Sequence, residues 1–255
     1  MCSLAQTLLH AGFVVHRTNI RTCGGTDFKA PTLYHAGLTS DLLAYLLHLD
    51  EERRTPVWLA GFSLGGNQVL KLAGELGPDA PRLLRGVCGV STPIDLAACA
   101  RRLGEPDNRL YQWWFLSRMK RRLLLRQSVM GDSFPVRITP AEIRALRTIY
   151  ELDDRVTGPA FNFRGADHYY ETQSAARSLH AIRIPTLLVI ARNDPLVPFD
   201  TYTHPFIGND GPIQLVAPGH GGHIGFLARR RPRLWVDQLI REWIEGTIAP
   251  SPASS

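Results

Sequence analysis

The serine in Gly61-Phe62-Ser63-Leu64-Gly65 lies between residues that read as a strand and residues that read as a helix. In that setting a sharp, strained turn presents a serine hydroxyl as a nucleophile, which points to ester or amide chemistry. Glycine is expected at both flanking positions because strand and helix must pack closely around the turn. The alternative is a structural turn with an idle serine. A hydroxyl attacks poorly until a base within hydrogen-bond reach takes its proton, and the base needs an acid to fix its tautomer and stabilise its charged form. Asp194 stands in Arg192-Asn193-Asp194-Pro195-Leu196-Val197-Pro198, just beyond the apolar run Thr186 to Ala191. Asp200 is a second, less favourably placed carboxylate. The next apolar run leads into Pro218-Gly219-His220-Gly221-Gly222-His223-Ile224-Gly225-Phe226, which offers two histidines as the base.

These groups need a scaffold that brings loops together at one edge. Apolar runs at Phe13 to His16, Val57 to Ala60, Gly86 to Ser91, Thr186 to Ala191 and Ile213 to Ala217 read as strands. Helices are expected near Leu4 to His10, Ser40 to Leu49, Gly66 to Leu76 and Leu234 to Glu245. The alternation predicts an α/β fold with a mostly parallel sheet, whose carboxyl edge gathers functional loops. Asp194 falls at such an edge. Residues Asp95 to Leu179 break the pattern with Arg-rich and aromatic-rich helical sequence, and read as a cap inserted at about 95–179 into one domain spanning 1–248. The segment 249–255, Ala-Pro-Ser-Pro-Ala-Ser-Ser, reads as a disordered tail.

Composition excludes several classes. With 44% hydrophobic and 20% charged residues the chain is that of an ordinary globular protein. Its net charge of +6 comes mostly from arginines spread over helical segments, which suits a solvated basic surface better than a nucleic-acid site. Cys2, Cys23, Cys88 and Cys99 lack metal-ligand spacing, and no glycine-rich loop ends in the Lys-Ser/Thr of a phosphate-binding loop. The chemistry is therefore expected to need no cofactor and no metal, and the thiols to be reduced. No run approaches the ~20 apolar residues of a membrane span, and no signal peptide is recognised, so a cytoplasmic protein is expected.

The order serine, then aspartate, then histidine is the one used by α/β-hydrolases. The chain resembles that superfamily and, within it, the YheT-like serine esterases. The resemblance rests on Arg21-Thr22-Cys23-Gly24-Gly25, Tyr34-His35-Ala36-Gly37 followed by Asp41, Gly61 to Asn67, Pro93-Ile94-Asp95-Leu96, Tyr169-Tyr170, Asn193-Asp194-Pro195 and Gly221 to Phe226. It implies an α/β-hydrolase fold and a carboxylesterase acting on short- to medium-chain acyl esters or lipids. Ser63 would be its nucleophile, Asp194 its orienting acid and His223 its base, leaving His220 as a loop residue. Asp167-His168 reads as a surface pair of the cap, while His16 and His35 read as packing residues.

The resemblance also implies strands and a His-Gly-containing loop ahead of what is Met1 here, so the fold is expected to be incomplete at its amino end. A central sheet position next to Val57 to Ala60 would then be unfilled, unless Phe13 to His16 pairs there directly. The backbone N–H of Leu64 is the one donor identified for a developing oxyanion, where such sites use two. Two functions follow: a serine hydrolase, or a catalytically impaired homologue that binds instead. In the cap, Tyr111-Gln112-Trp113-Trp114-Phe115-Leu116 leads into Arg118, Lys120, Arg121, Arg122 and Arg126. Such a helix can make weak contact with a membrane surface. A cap helix docked on the core with a solvated basic face is the commoner arrangement, and its Trp113, Trp114 and Phe115 would suit an acyl tail.

Overall fold

The computed structural model describes residues 1–53, 57–208, 211–228 and 233–248. Four strands, β1 (Val57–Phe62), β2 (Leu84–Val90), β3 (Thr186–Val189) and β4 (Ile213–Val216), form a parallel sheet in the order β1-β2-β3-β4. Its register pairs Gly61 with Gly89, Val90 with Val189 and Val189 with Val216, so the carboxyl ends of the strands are level. The helices are α1 (Cys2–His10), α2 (Ser40–Arg53), α3 (Leu64–Leu76), α4 (Ala80–Leu83), α5 (Leu96–Leu103), α6 (Arg109–Met130), α7 (Pro140–Ala145), α8 (Ile149–Leu152), α9 (Gly158–Ala160), α10 (Ala166–Gln173) and α11 (Trp235–Ile248).

Successive strand residues point to opposite faces, and both faces are covered. Val87 and Leu188 join Leu46 of α2 and Leu70 and Ala73 of α3 in one apolar cluster. Cys88, Val90, Leu187 and Val189 join Leu4 and Leu8 of α1 and Ile240 and Ile244 of α11 in the other. This explains why the centres of β2 and β3 read as apolar runs. Burial also raises the Cys88 thiol to about 12, and all four cysteines are free.

Between β2 and β3, from Leu96 to Ala181, every regular element is a helix, as the break in alternation predicts. This segment has its own core around Ile143, Leu146, Leu152 and Val156. Its longest helix, α6, is anchored through Leu116, Leu123 and the buried Arg126. Trp113 and Trp114 are exposed and do not line the cavity that reaches Ser63, so the acyl-tail role expected of them is not supported by their position. No helix among the described residues is long and apolar enough to cross a membrane. The expected tail, 249–255, lies outside the described residues.

One expected strand is absent. Phe13 to His16 is assigned to no strand, because it has no partner: β1 is an outer strand, and between it and residues 13–20 lies a cavity of about 1000 Å³. The alternation that suggested a strand is still visible. Phe13 and Val15 pack against the α1/α11 side of the sheet, with Phe13 edge-on to Trp58 at 6.3 Å, while Val14 is exposed. Side-chain alternation gives a face to pack, whereas a strand also needs an adjacent ladder for its N–H and C=O groups. The sequence expectation of an unfilled position beside β1 matches this cavity.

Candidate active site

Ser63 sits at the join of β1 and α3 with φ 50° and ψ −122°, a conformation that costs a non-glycine residue about 1–3 kcal/mol. Its N–H donates to Val90 O at 2.8 Å, fixing the turn to the carboxyl end of β2. Gly61 is sterically required, since a Cβ there would lie 2.2 Å from Gly65 O. The expectation that Gly65 needs the same freedom is not met: a Cβ on Gly65 would meet nothing within 4 Å, and the second crowded position is Gly66, against Thr92. Asn67, fully buried, then ties this end of α3 to the loop before α2, donating to Ala36 O, and to the helical segment, donating to Gln173 O and accepting from Ala175 N–H.

Asp194 follows β3 as the sequence predicts. Its side chain is fully buried, and Oδ1 accepts from the N–H groups of Leu196 and Val197 at 2.9 and 3.1 Å. These bonds aim the carboxylate toward the loop after β4. There His223 Nδ1 lies 3.0 Å from Asp194 Oδ2, and Nε2 lies 2.8 Å from Ser63 Oγ. Three residues separated by up to 160 positions thus form one hydrogen-bonded line. With Nδ1–H donating to the carboxylate, Nε2 is free to accept the serine proton. His220 is exposed and its Nδ1 is 3.5 Å from Asn193 Nδ2, outside the line. Asp200 is exposed beyond Pro198, and Asp167 and His168 lie in α10, also apart from it.

Two further residues hold the histidine loop, and sequence reasoning assigned them no role. Asn193 Oδ1 accepts from the N–H groups of Gly221 and Gly222 at 3.0 and 3.3 Å. Ser91, fully buried with φ 47°, donates through Oγ to His223 O. The loop closes on Phe226, whose ring would collide with a Cβ at Gly221 and which stacks edge-on with Trp235 at 5.7 Å. The signals available in sequence were the adjacency of Asn193 to Asp194 and of Ser91 to the end of a strand.

Leu64 is the first residue of α3, so its N–H has no acceptor within the helix. It faces the same junction as Ser63, and both residues line the 1000 Å³ cavity, together with Leu42 and Tyr45 of α2 and with Trp58. His35 is buried among Phe161, Phe163 and Tyr169, at ring distances of 4.5 to 5.9 Å. Burial, reinforced by Lys71 and Arg21, lowers its pKa to about 4 and keeps it neutral, in line with the packing role read from sequence.

The sequence profile of the alpha/beta hydrolase fold matches residues 1–229. The chain belongs to the α/β-hydrolase family. It is 29% identical over 236 residues to YheT of Escherichia coli, provisionally named an esterase, covering 91% of this chain and 67% of that one. It is 28% identical over 235 residues to phospholipase ABHD3 of Bos taurus, covering 90% of this chain and 56% of the relative. Against human monoacylglycerol lipase ABHD2 it is 29% identical over 234 residues, covering 85% and 54%. The chain therefore spans little more than half the length of these two mammalian hydrolases. Among solved folds it resembles the monoacylglycerol lipase of Paleococcus ferrophilus, with TM-score 0.57, 18% identity, and 96% and 88% of the two chains covered.

Proposed function

We propose that this α/β-hydrolase is a serine carboxylesterase that cleaves acyl esters of short to medium chain length through an acyl-enzyme. The observation that carries the reading is the line Ser63 Oγ, His223 Nε2, His223 Nδ1, Asp194 Oδ2, with hydrogen-bond spacings of 2.8 and 3.0 Å. In this scheme Ser63 Oγ attacks the ester carbonyl as His223 Nε2 takes its proton. Asp194 stabilises the resulting imidazolium and stays ionised. The carbonyl oxygen becomes an oxyanion beside the Leu64 N–H, where the amino end of α3 also favours negative charge. His223 then protonates the leaving alcohol, the C–O bond breaks, and the acyl group remains on Ser63. A water molecule, deprotonated by His223, attacks the acyl carbonyl and releases the acid, returning the proton to Ser63. None of these steps calls on a metal or cofactor.

The names of the relatives, an esterase, a phospholipase and monoacylglycerol lipases, support an ester or lipid substrate. Four free cysteines suit a reducing compartment, and we read the protein as cytosolic. Hydrolysis of p-nitrophenyl esters of increasing chain length tests the proposal. Turnover should fall by ~10⁴ or more on Ser63→Ala, and turnover that survives this change would refute it. A second reading is favoured by the cavity beside β1: the chain would bind an extended segment along the open edge and turn over slowly or not at all, because only one oxyanion donor is identified. Loss of a single donor costs ~10²–10³ in turnover. A well-folded chain without esterase activity would favour this reading.

A further inference from the structure

The 22-residue helix α6 carries six cations, Arg109, Arg118, Lys120, Arg121, Arg122 and Arg126, and no acidic residue. Three of the six are occupied. Arg122 pairs with Asp27, Arg126 is buried and donates to Ala30 O and Thr32 O, and Lys120 donates to Arg144 O. Arg109 and Arg121 have no ion-pair partner among the described residues, and Arg118 lies over the Trp114 ring at 4.5 Å. On the same helix Leu110 is 80% exposed and Trp113 67% exposed, with Tyr111 and Trp114 about half exposed. Leu110, Trp114, Ser117, Arg121 and Leu125 recur at three- and four-residue steps, so exposed apolar groups and cations share one face.

Exposed tryptophans beside arginines without an ion-pair partner among the described residues, on a helix that carries no carboxylate and follows Glu105 and Asp107, both paired with Arg102, match the chemistry of a lipid headgroup boundary. There indole rings sit among glycerol and upper acyl groups while guanidinium groups meet phosphate. The helix is also placed to matter for the site. Asn108, the buried residue preceding Arg109, donates to Pro195 O at 2.7 Å, directly after Asp194. Leu110 to Trp114 thus lie within about 9 Å along the helix axis of that anchor.

We infer that the Leu110 to Arg121 face of α6 docks the protein on an anionic lipid bilayer. The inference concerns adsorption and does not depend on hydrolysis, so the Ser63→Ala chain should bind vesicles as the parent does. Flotation of the full chain with phosphatidylcholine vesicles, with and without phosphatidylserine, tests it. Binding is expected to the anionic vesicles, to weaken with added salt, and to fall at least about tenfold in Arg118→Glu/Arg121→Glu. The exposed pair change Trp113→Ser/Trp114→Ser should reduce binding by a similar factor while leaving the circular dichroism spectrum unchanged. Brominated lipids should quench the fluorescence of the unaltered chain. Equal absence of binding to neutral and anionic vesicles would overturn the inference, as would binding that survives both double changes or a lack of quenching on bound vesicles. A stable dimer that dissociates on Trp113→Ser/Trp114→Ser would also overturn it, by assigning the face to a second copy of the chain.

Discussion

The two flanks of the sheet are built to different standards. From β2 to β4 each strand has an apolar layer on both faces, and the loops that leave these strands are bonded to one another: Asp194 to His223, Asn193 to Gly221 and Gly222, and Ser91 to His223. On the β1 side, residues 13–20 run alongside the strand without pairing, and a cavity of about 1000 Å³ separates them. Ser63 stands at the boundary. Its partners in the hydrogen-bonded line, His223 and Asp194, belong to the well-packed flank, while the cavity that Ser63 lines opens toward the loose one. Under the proposed mechanism, proton transfer would draw on the well-packed flank and oxyanion binding on the open one, so the rate would be limited at the oxyanion.

The largest expected effects fall on the hydrogen-bonded line. Replacing Ser63 or His223 by alanine should each lower kcat by ~10⁴–10⁶, and the double replacement should cost little more than either alone. Asp194→Asn should cost ~10⁴ by favouring the wrong imidazole tautomer. Steady-state kinetics on one ester checks all of these. If the three losses instead add independently, the residues do not act as a unit.

Stability should separate the flanks next. Leu188→Ala, in the fully buried centre of β3, should cost about 2–5 kcal/mol in chemical denaturation. Val14→Ala, exposed in the unpaired segment, should stay within about 0.5 kcal/mol. A comparable loss at Val14 would mean that the two flanks are equally packed.

Asn193→Ala and Ser91→Ala should act through the position of His223. A displacement of about 1 Å can cost ~10²-fold, so a fall of about 10–100-fold in kcat with little change in KM is expected. A change confined to KM would assign them a different role.

The smallest effect concerns acid. His35, with its pKa lowered to about 4, binds fewer protons folded than unfolded, so its contribution to stability is lost as pH falls from 6.5 toward 4. Buried Asp153, accepting from Tyr170 and Thr157, has its pKa raised to about 6, mainly by burial. Its contribution has the opposite sign and is lost as pH rises from about 4 through 6. The two offset one another in their shared window, and His35→Phe should expose the Asp153 slope, up to ~1.4 kcal/mol per pH unit. Denaturation midpoints between pH 4 and 6.5 that do not change slope in this variant would contradict the assignment.

Much of this arrangement was legible in the sequence where one local pattern suffices. Apolar runs mark the centres of β2 and β3 because both sheet faces are covered, and Gly61 and Ser63 mark the turn because a Cβ on the first would lie 2.2 Å from backbone and the second takes a positive φ. Phe13 to His16 misled because alternation reports a packed face and says nothing about a neighbouring strand. Gly65 misled because its Cβ direction points into open space. Ser91 and Asn193 were illegible as clamps, since their partners lie 132 and 28 or 29 residues away and meet them only once β2, β3 and β4 are aligned.

The proposed chemistry turns on His223, steered by Asp194, removing the proton from Ser63. Fluorophosphonate labelling of the folded chain, read by peptide mass spectrometry, tests it most directly. A single adduct on Ser63 is expected, formed far more slowly in His223→Ala. A folded chain that forms no adduct, or labels equally fast without His223, would contradict it.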